Sequence, residues 1–432
     1  MKPTILVIVG ISGDLAQRKL LPAIREIAKA GALPNDFKVI GVSRRNLKHT
    51  DLNLDNNFWT EHLELLQMDL NSLDAYKDLA TKLQVVETSM EGTAQKLFYL
   101  SIPPNAAQKV VQKLGESGLA KDESKLLLEK PFGVDLESAQ LLVDAIKEDF
   151  KEEQVYRIDH YLAKEMAQNL VVFRSANPVF SNTWNNKFLA SIEIIASETI
   201  GIEGRDIFYE QTGALRDVVQ SHLLQLLALT VMDLPKLDDW QSIPRLRCQA
   251  LKSLRSTGKI VRGQYEGYKK EVKNEKSKTE TFVSMQLESS DPSWQGVPIR
   301  LTTGKSLDVR TTEIRLSYKG EGNTEANLLT LHIQPHEGAE VCLWVKKPGY
   351  ERQLQQIPLS FEYKQYFDYK LPDAYERVFV DAMHSDRTLF STSEEVLASW
   401  EILAPVQEAW AKTTDDLKIY PKASAPQEII TA

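Results

Sequence analysis

Thr4–Val9 reads TILVIV and runs directly into Gly10-Ile11-Ser12-Gly13-Asp14-Leu15. The six-residue run is continuous, apolar and mostly β-branched, as expected of a strand buried on both faces. Beyond the glycines, Leu20, Leu21, Ile24 and Ile27 recur at helical spacing across residues 15–30. A strand, a glycine turn and a helix in that order open a βαβ unit. Glycine there lets the backbone approach a pyrophosphate, whose charge is favoured by amides at a helix N-terminus. The spacing is Gly-x-x-Gly, not Gly-x-Gly-x-x-Gly, and many tight strand–helix turns share it.

Working outward, residues 37–42, 96–101 and 125–128 read as further strands. Residues 106–114, after Pro103-Pro104, and residues 136–150 read as helices. This alternation predicts a parallel sheet. After Asn177-Pro178 the texture changes. Strand-like segments follow one another at 191–196, 281–287, 299–303, 312–318, 328–334 and 339–346, with helical stretches at 213–232, 243–254 and 374–383. The expected fold is α/β followed by α+β. Residues 1–177 form a Rossmann-like dinucleotide-binding domain, and residues 178–432 a larger domain with a mainly antiparallel sheet. The Lys- and Glu-rich run at 269–278 reads as a solvated loop.

The 432 residues are 42% hydrophobic and 26% charged, a globular profile that excludes disordered and fibrous classes. Lys+Arg 52 against Asp+Glu 60 gives a net charge of −8. That argues against a nucleic-acid partner held by bulk charge. An anionic substrate therefore needs a local basic pocket. Cys248 and Cys342 have no metal-ligand or redox spacing. No metal site, no signal peptide and no membrane span is expected, and a reducing, cytoplasmic setting is.

Three clusters carry chemistry. At the end of the second strand the chain reads Gly41-Val42-Ser43-Arg44-Arg45. An NAD-selective site places a carboxylate there, whereas arginine suits the 2′-phosphate of NADP. Arg157–Glu165 reads RIDHYLAKE, with His160 and Lys164 four apart on one helical face and Tyr161 beside them. This is either a phosphate site at a helix start or a charged helix start alone. His222 lies in an otherwise apolar helix, where a histidine is more often a satisfied core residue. It gains weight if a carboxylate such as Asp159 meets it.

The strings GISGDLAQRKLL (10–21), EKPFG (129–133), RIDHYLAKE (157–165), the 201–222 segment, WQGVPIRLTTGKSL (294–307) and DAYERVFVDAMHSDRTLF (373–390) resemble the glucose-6-phosphate dehydrogenase family. The likeness runs from residue 4 to about residue 410. It implies oxidation of glucose 6-phosphate to 6-phosphogluconolactone with hydride transfer to NADP, the first step of the oxidative pentose phosphate pathway, by a homodimer or homotetramer. It also implies residue roles. Gly10, Ser12, Gly13, Asp14 and Leu15 line the pyrophosphate turn, and Arg44 meets the 2′-phosphate. Ser101 and Pro103 lie beside the cofactor. Lys19 and Lys130 reach the junction of cofactor and sugar, and Pro131 shapes the nicotinamide pocket. His160, Tyr161 and Lys164 hold the substrate phosphate. Glu198, Asp217 and Lys305 bind the sugar. His222 is the general base and Asp159 its partner.

The sequence departs from the family pattern at several places. Ala163 replaces a usual glycine, Thr302 a common arginine and Ser101 a common alanine. Pro421-Lys422-Ala423-Ser424 replaces a glycine–serine–tryptophan–glycine–proline pattern, and this change with Thr302 argues against the second, structural NADP site of the animal enzymes. A dehydrogenase of another aldose phosphate and a non-catalytic nucleotide-binding paralogue are the competing readings.

Overall fold

The computed structural model describes all residues except 53, 55, 237–238, 321–325, 369–370, 414–415 and 432. The chain divides into two units, residues 1–163 with 372–397, and residues 164–371 with 398–432.

In the first unit the apolar runs become the strands β1 (Thr4–Val9), β2 (Phe37–Ser43), β3 (Leu63–Gln67), β4 (Gln95–Leu100), β5 (Ser124–Leu128) and β6 (Val155–Ile158). Their order is β6-β5-β4-β1-β2-β3, all parallel. All six residues of β1 are buried, as helices on both sheet faces require. The chain direction across the sheet reverses beside β1, so the crevice between the carboxyl ends of β1 and β4 is the topological switch point where such sheets bind ligands.

The return segment 372–397 completes this unit. The short strand Phe390–Ser391 adds antiparallel to β6. The helix Ala374–His384 packs Val378, Phe379 and Met383 with Ile24, Ile27 and Leu97. Lys125, buried at the edge of that contact, donates to Ala382 O and to Ser385 Oγ, the latter at 2.8 Å. The 374–383 stretch was expected in the second domain. Its amphipathic spacing shows a buried face without showing what covers it. The expected boundary at 177 also lies elsewhere. The helix Glu165–Ala176 belongs to the second unit, where it packs against the helix Leu224–Val231. The strand β3 and the helix Leu73–Thr88 were not expected at all.

The second unit is built on β7 (Leu189–Ser197), β8 (Leu254–Tyr265), β9 (Phe282–Ser289), β10 (Ile299–Gly304), β11 (Thr311–Tyr318), β12 (Leu328–Gln334), β13 (Gly338–Lys346) and β14 (Leu354–Glu362). The order is β14-β13-β12-β11-β7-β10-β9-β8, followed by the strand Leu417–Tyr420. The sheet is antiparallel except for β7 with β10 and for Leu417–Tyr420 with β8. The 215–231 helix lies against β7 and β10. No helix among the described residues is long and apolar enough to cross a membrane.

Candidate active site

In the first unit Gly10 follows β1 with φ +93°, and a Cβ there would lie 2.3 Å from Ser101 O. Only glycine fits this close approach of two strand ends. The turn is fastened by Gly10 N and Ile11 N donating to Val42 O at 2.9 and 3.1 Å, and by Gly13 N donating to Gly10 O at 2.9 Å. Beside it opens a cavity of about 460 Å³, lined by Gly10, Ser12, Gly13, Ser43, Arg44, Arg45, Ser101 and Pro103 among others. None of the described residues lining it is acidic. Gln67 donates to Arg44 O at 3.3 Å and Ser43 Oγ accepts from Arg45 N at 3.1 Å, which fixes the backbone under both exposed guanidiniums. Leu15 packs on the core, while Asp14 pairs with Arg18 at 2.7 Å on the surface. Lys19 pairs with Asp373 at 3.4 Å, the residue that caps the helix Ala374–His384.

Lys130 and Pro131 follow β5. The preceding Glu129 accepts a hydrogen bond from Tyr99. Burial pushes the Glu129 carboxyl above its ordinary range, against the pull of hydrogen bonds from Tyr99 and Tyr375 and of the Lys130 ammonium. Tyr99, Glu129 and Tyr375 were not singled out from sequence. They come from three separate segments and share no motif. At the end of β6, the buried Asp159 accepts from Tyr161 N at 3.0 Å, an Asx turn that shapes the segment bearing His160. His160 and Tyr161 meet edge to face, with ring centroids 5.0 Å apart. Ala163 is a core residue, and its methyl belongs to the apolar cluster under β1.

In the second unit Lys164 is the N-cap of the helix Glu165–Ala176. Glu337 accepts from Met166 N at 2.8 Å, and burial raises its carboxyl against that bond and the Lys164 charge. Glu198 and Lys305 stand at the same ends of the parallel neighbours β7 and β10, so the sheet brings them together. They form an ion pair with Lys305 buried, and its ammonium lies 5.2 Å from the centre of the Tyr209 ring. Burial, then the Asp217 charge, raises the Tyr209 phenol well above its usual range. Thr302, where the family pattern has arginine, is fully buried and lies 3.0 Å from Ser284 Oγ.

Asp217 and His222 share the segment Leu215–Leu223, which is π-helical. Its C-terminal cap shows the i→i+5 bond from Leu224 N to Val219 O. An α-helix turns about 100° per residue and would separate residues five apart by about 140°. The wider turn that goes with i→i+5 bonding brings such residues much closer to one face. Asp217 and the buried His222 therefore share a helix face, which sequence spacing alone did not show.

Comparison with known proteins bears on what this arrangement serves. The domain model described as glucose-6-phosphate dehydrogenase, NAD binding domain, matches residues 7–169, and that for the C-terminal domain matches residues 171–430. This chain belongs to the glucose-6-phosphate dehydrogenase family. It is 36% identical to the glucose-6-phosphate 1-dehydrogenase of Chlamydia muridarum, over 95% of this chain and 91% of that protein. It is 35% identical to that of Bacillus subtilis, over 94% and 91%. A glucose-6-phosphate dehydrogenase solved in complex with its substrate glucose 6-phosphate superposes with a TM-score of 0.91 at 30% identity, covering 100% of this chain and 97% of the other. A family member thus carries the expected Rossmann-like unit and mainly antiparallel unit.

Proposed function

We infer that this chain oxidises glucose 6-phosphate to 6-phosphogluconolactone, with NADP as hydride acceptor. The observation that carries the reading is the match of both family domains across residues 7–430. NADP suits the residues present, because the Gly10 cradle excludes any side chain and two arginines without a carboxylate line the cavity. Gly10, Ser12, Gly13, Asp14, Leu15, Ser101 and Pro103 hold the dinucleotide, with Arg44 on its 2′-phosphate. Lys19 and Lys130 serve the junction of cofactor and sugar, Lys19 leaving Asp373 to do so.

NADP, when bound, supplies the nicotinamide that receives hydride from C1. His160, Tyr161 and Lys164 hold the phosphate of the sugar, and Glu198, Asp217 and Lys305 its hydroxyls. This converts remote binding into orientation at C1. His222 takes the C1-hydroxyl proton as that carbon becomes the lactone carbonyl. Asp159, as carboxylate partner, fixes the imidazole tautomer and stabilises the imidazolium. An imidazole of ordinary pKa, about 6.5, is neutral enough to do this near pH 7. The proposed setting is the cytoplasm, and the proposed assembly a homodimer or homotetramer. Its sedimentation would correspond to two or four chains, and a monomer would contradict the assembly.

Turnover by the purified protein with a panel of aldose phosphates, each with NAD and with NADP, tests the reading. The expected result is highest kcat/KM for glucose 6-phosphate with NADP. A higher value with another aldose phosphate, or no turnover, would reject it.

A further inference from the structure

Glu280 and Thr281 precede β9 and lie outside every motif used above. Both are buried. The Glu280 carbonyl accepts from Ala214 N at 3.0 Å, and its Oε1 accepts from Leu215 N at 2.9 Å. These amides stand at the start of the 215–231 helix, where backbone donors have no partner within the helix itself. Gly213, just before them, has φ +66°, and a Cβ there would lie 2.4 Å from Glu280 Oε1. The carboxyl thus occupies the space that any other side chain at 213 would need. Burial raises the Glu280 carboxyl, opposed by the Leu215 amide and by the Arg216 and Arg262 guanidiniums.

Thr281 serves the opposite side. Its carbonyl accepts from Lys305 N at 2.9 Å. Its hydroxyl accepts from Tyr265 N at 2.9 Å and lies 2.8 Å from Tyr420 Oη. Tyr420 has a single hydroxyl hydrogen, and its shortest acceptor is Lys305 O at 2.7 Å, against 3.3 Å to Thr281 O. The hydroxyl hydrogen of Thr281 is therefore directed to Tyr420. Hydrogens run one way along the chain, from Tyr265 N to Thr281 Oγ1, to Tyr420 Oη, to Lys305 O. The Lys305 backbone is held at its N–H by Thr281 and at its carbonyl by Tyr420, while its ammonium is held by Glu198.

We propose that Glu280 and Thr281 form one positioning element, which sets the helix bearing Asp217 and His222 on one side and, through Tyr420, the backbone of the sugar-binding Lys305 on the other. A two-residue step thereby registers the proton acceptor against the sugar anchor. Both residues act through others, so the signature is a split between kinetic parameters. The inference rests on the roles given above to His222 and Lys305.

Tyr420→Phe deletes one hydroxyl and tests the Lys305 arm. KM for glucose 6-phosphate should rise roughly three- to tenfold, the size of one buried hydrogen bond. The kcat and the KM for NADP should stay within about twofold of the parent. Glu280→Met fills the same space without an acceptor and tests the helix arm. It should lower kcat on the order of ten- to a hundredfold, as slight misplacement of a reacting group does, with KM little changed. Glu280→Gln retains the acceptor and should recover most of that loss. Circular dichroism and thermal midpoints establish that each variant folds, and if Glu280→Met does not, the Tyr420→Phe result decides. A Tyr420→Phe enzyme with parental KM, or with equal losses toward sugar and NADP, overturns the proposal. So does a kcat loss in Glu280→Met that Glu280→Gln fails to recover, or no loss at all. A parent that fails to oxidise glucose 6-phosphate overturns the functional reading itself, and with it this inference.

Discussion

At the scale of one residue, we propose that Arg44 selects the cofactor. It follows β2, lines the cavity beside the glycine turn and has its backbone held by Gln67. Arg44→Ala should raise the KM for NADP while NAD kinetics stay nearly unchanged. The loss is about 1.5–3 kcal/mol, the range for a hydrogen bond to a charged group. Initial rates with both cofactors check this, and equal losses would remove Arg44 from the 2′-phosphate. His222 is the second such residue. His222→Asn should cut kcat about 10²–10⁴-fold, the usual cost of losing a positioned base, with dissociation constants of sugar and NADP largely retained. Asp159→Asn should also lower kcat, because an amide cannot stabilise an imidazolium. The parent kcat/KM should fall at acid pH as the base becomes protonated. A His222→Asn enzyme with parental kcat and acid limb would place the base elsewhere, with His160 the next candidate.

Among the elements, the helix Ala374–His384 carries a titration that can be measured. Asp381 is buried within it, 3.2 Å from Arg377, and burial raises its carboxyl to about 6. Between about pH 4 and pH 6 the folded chain therefore binds more protons there than the unfolded chain does. Stability falls as pH rises through that window. The contribution is on the order of 2–3 kcal/mol. Urea midpoints should fall from pH 4 to pH 6 in the parent relative to Asp381→Asn. Parallel profiles would show that Asp381 titrates normally. This helix also marks the limit of sequence reading. Its apolar spacing was visible, but its partners Ile24, Ile27 and Leu97 lie some 280 to 360 residues away in the chain. The runs of β1, β2 and β4 were legible because burial on both faces keeps them mainly apolar, with Lys38 and Lys96 the only charged residues in them. The strand β3 is short and half-exposed, so its pattern carried little signal. The π-helical geometry at 215–223 was hidden for another reason. Hydrophobic periodicity reports a face and not a hydrogen-bonding pattern.

For the whole molecule, the order of a parallel-sheet unit and a mainly antiparallel unit was legible in the change of texture after about residue 177. The return of 372–397 to the first unit was not, because a helix and a two-residue strand carry no mark of where they dock. The site residues follow the same rule. Candidates in contiguous motifs, such as Gly10 and Asp159, could be proposed from sequence. Glu129 with Tyr99 and Tyr375, and Glu280 with Thr281 and Tyr420, are assembled only by the fold. The proposed reaction passes hydride from C1 of glucose 6-phosphate to NADP. The most direct measurement uses glucose 6-phosphate carrying deuterium at C1, with mass spectrometry of the reduced cofactor after turnover. Each reduced nicotinamide should carry one deuterium, with none released to water. Unlabelled reduced cofactor, or deuterium in the solvent, would contradict it.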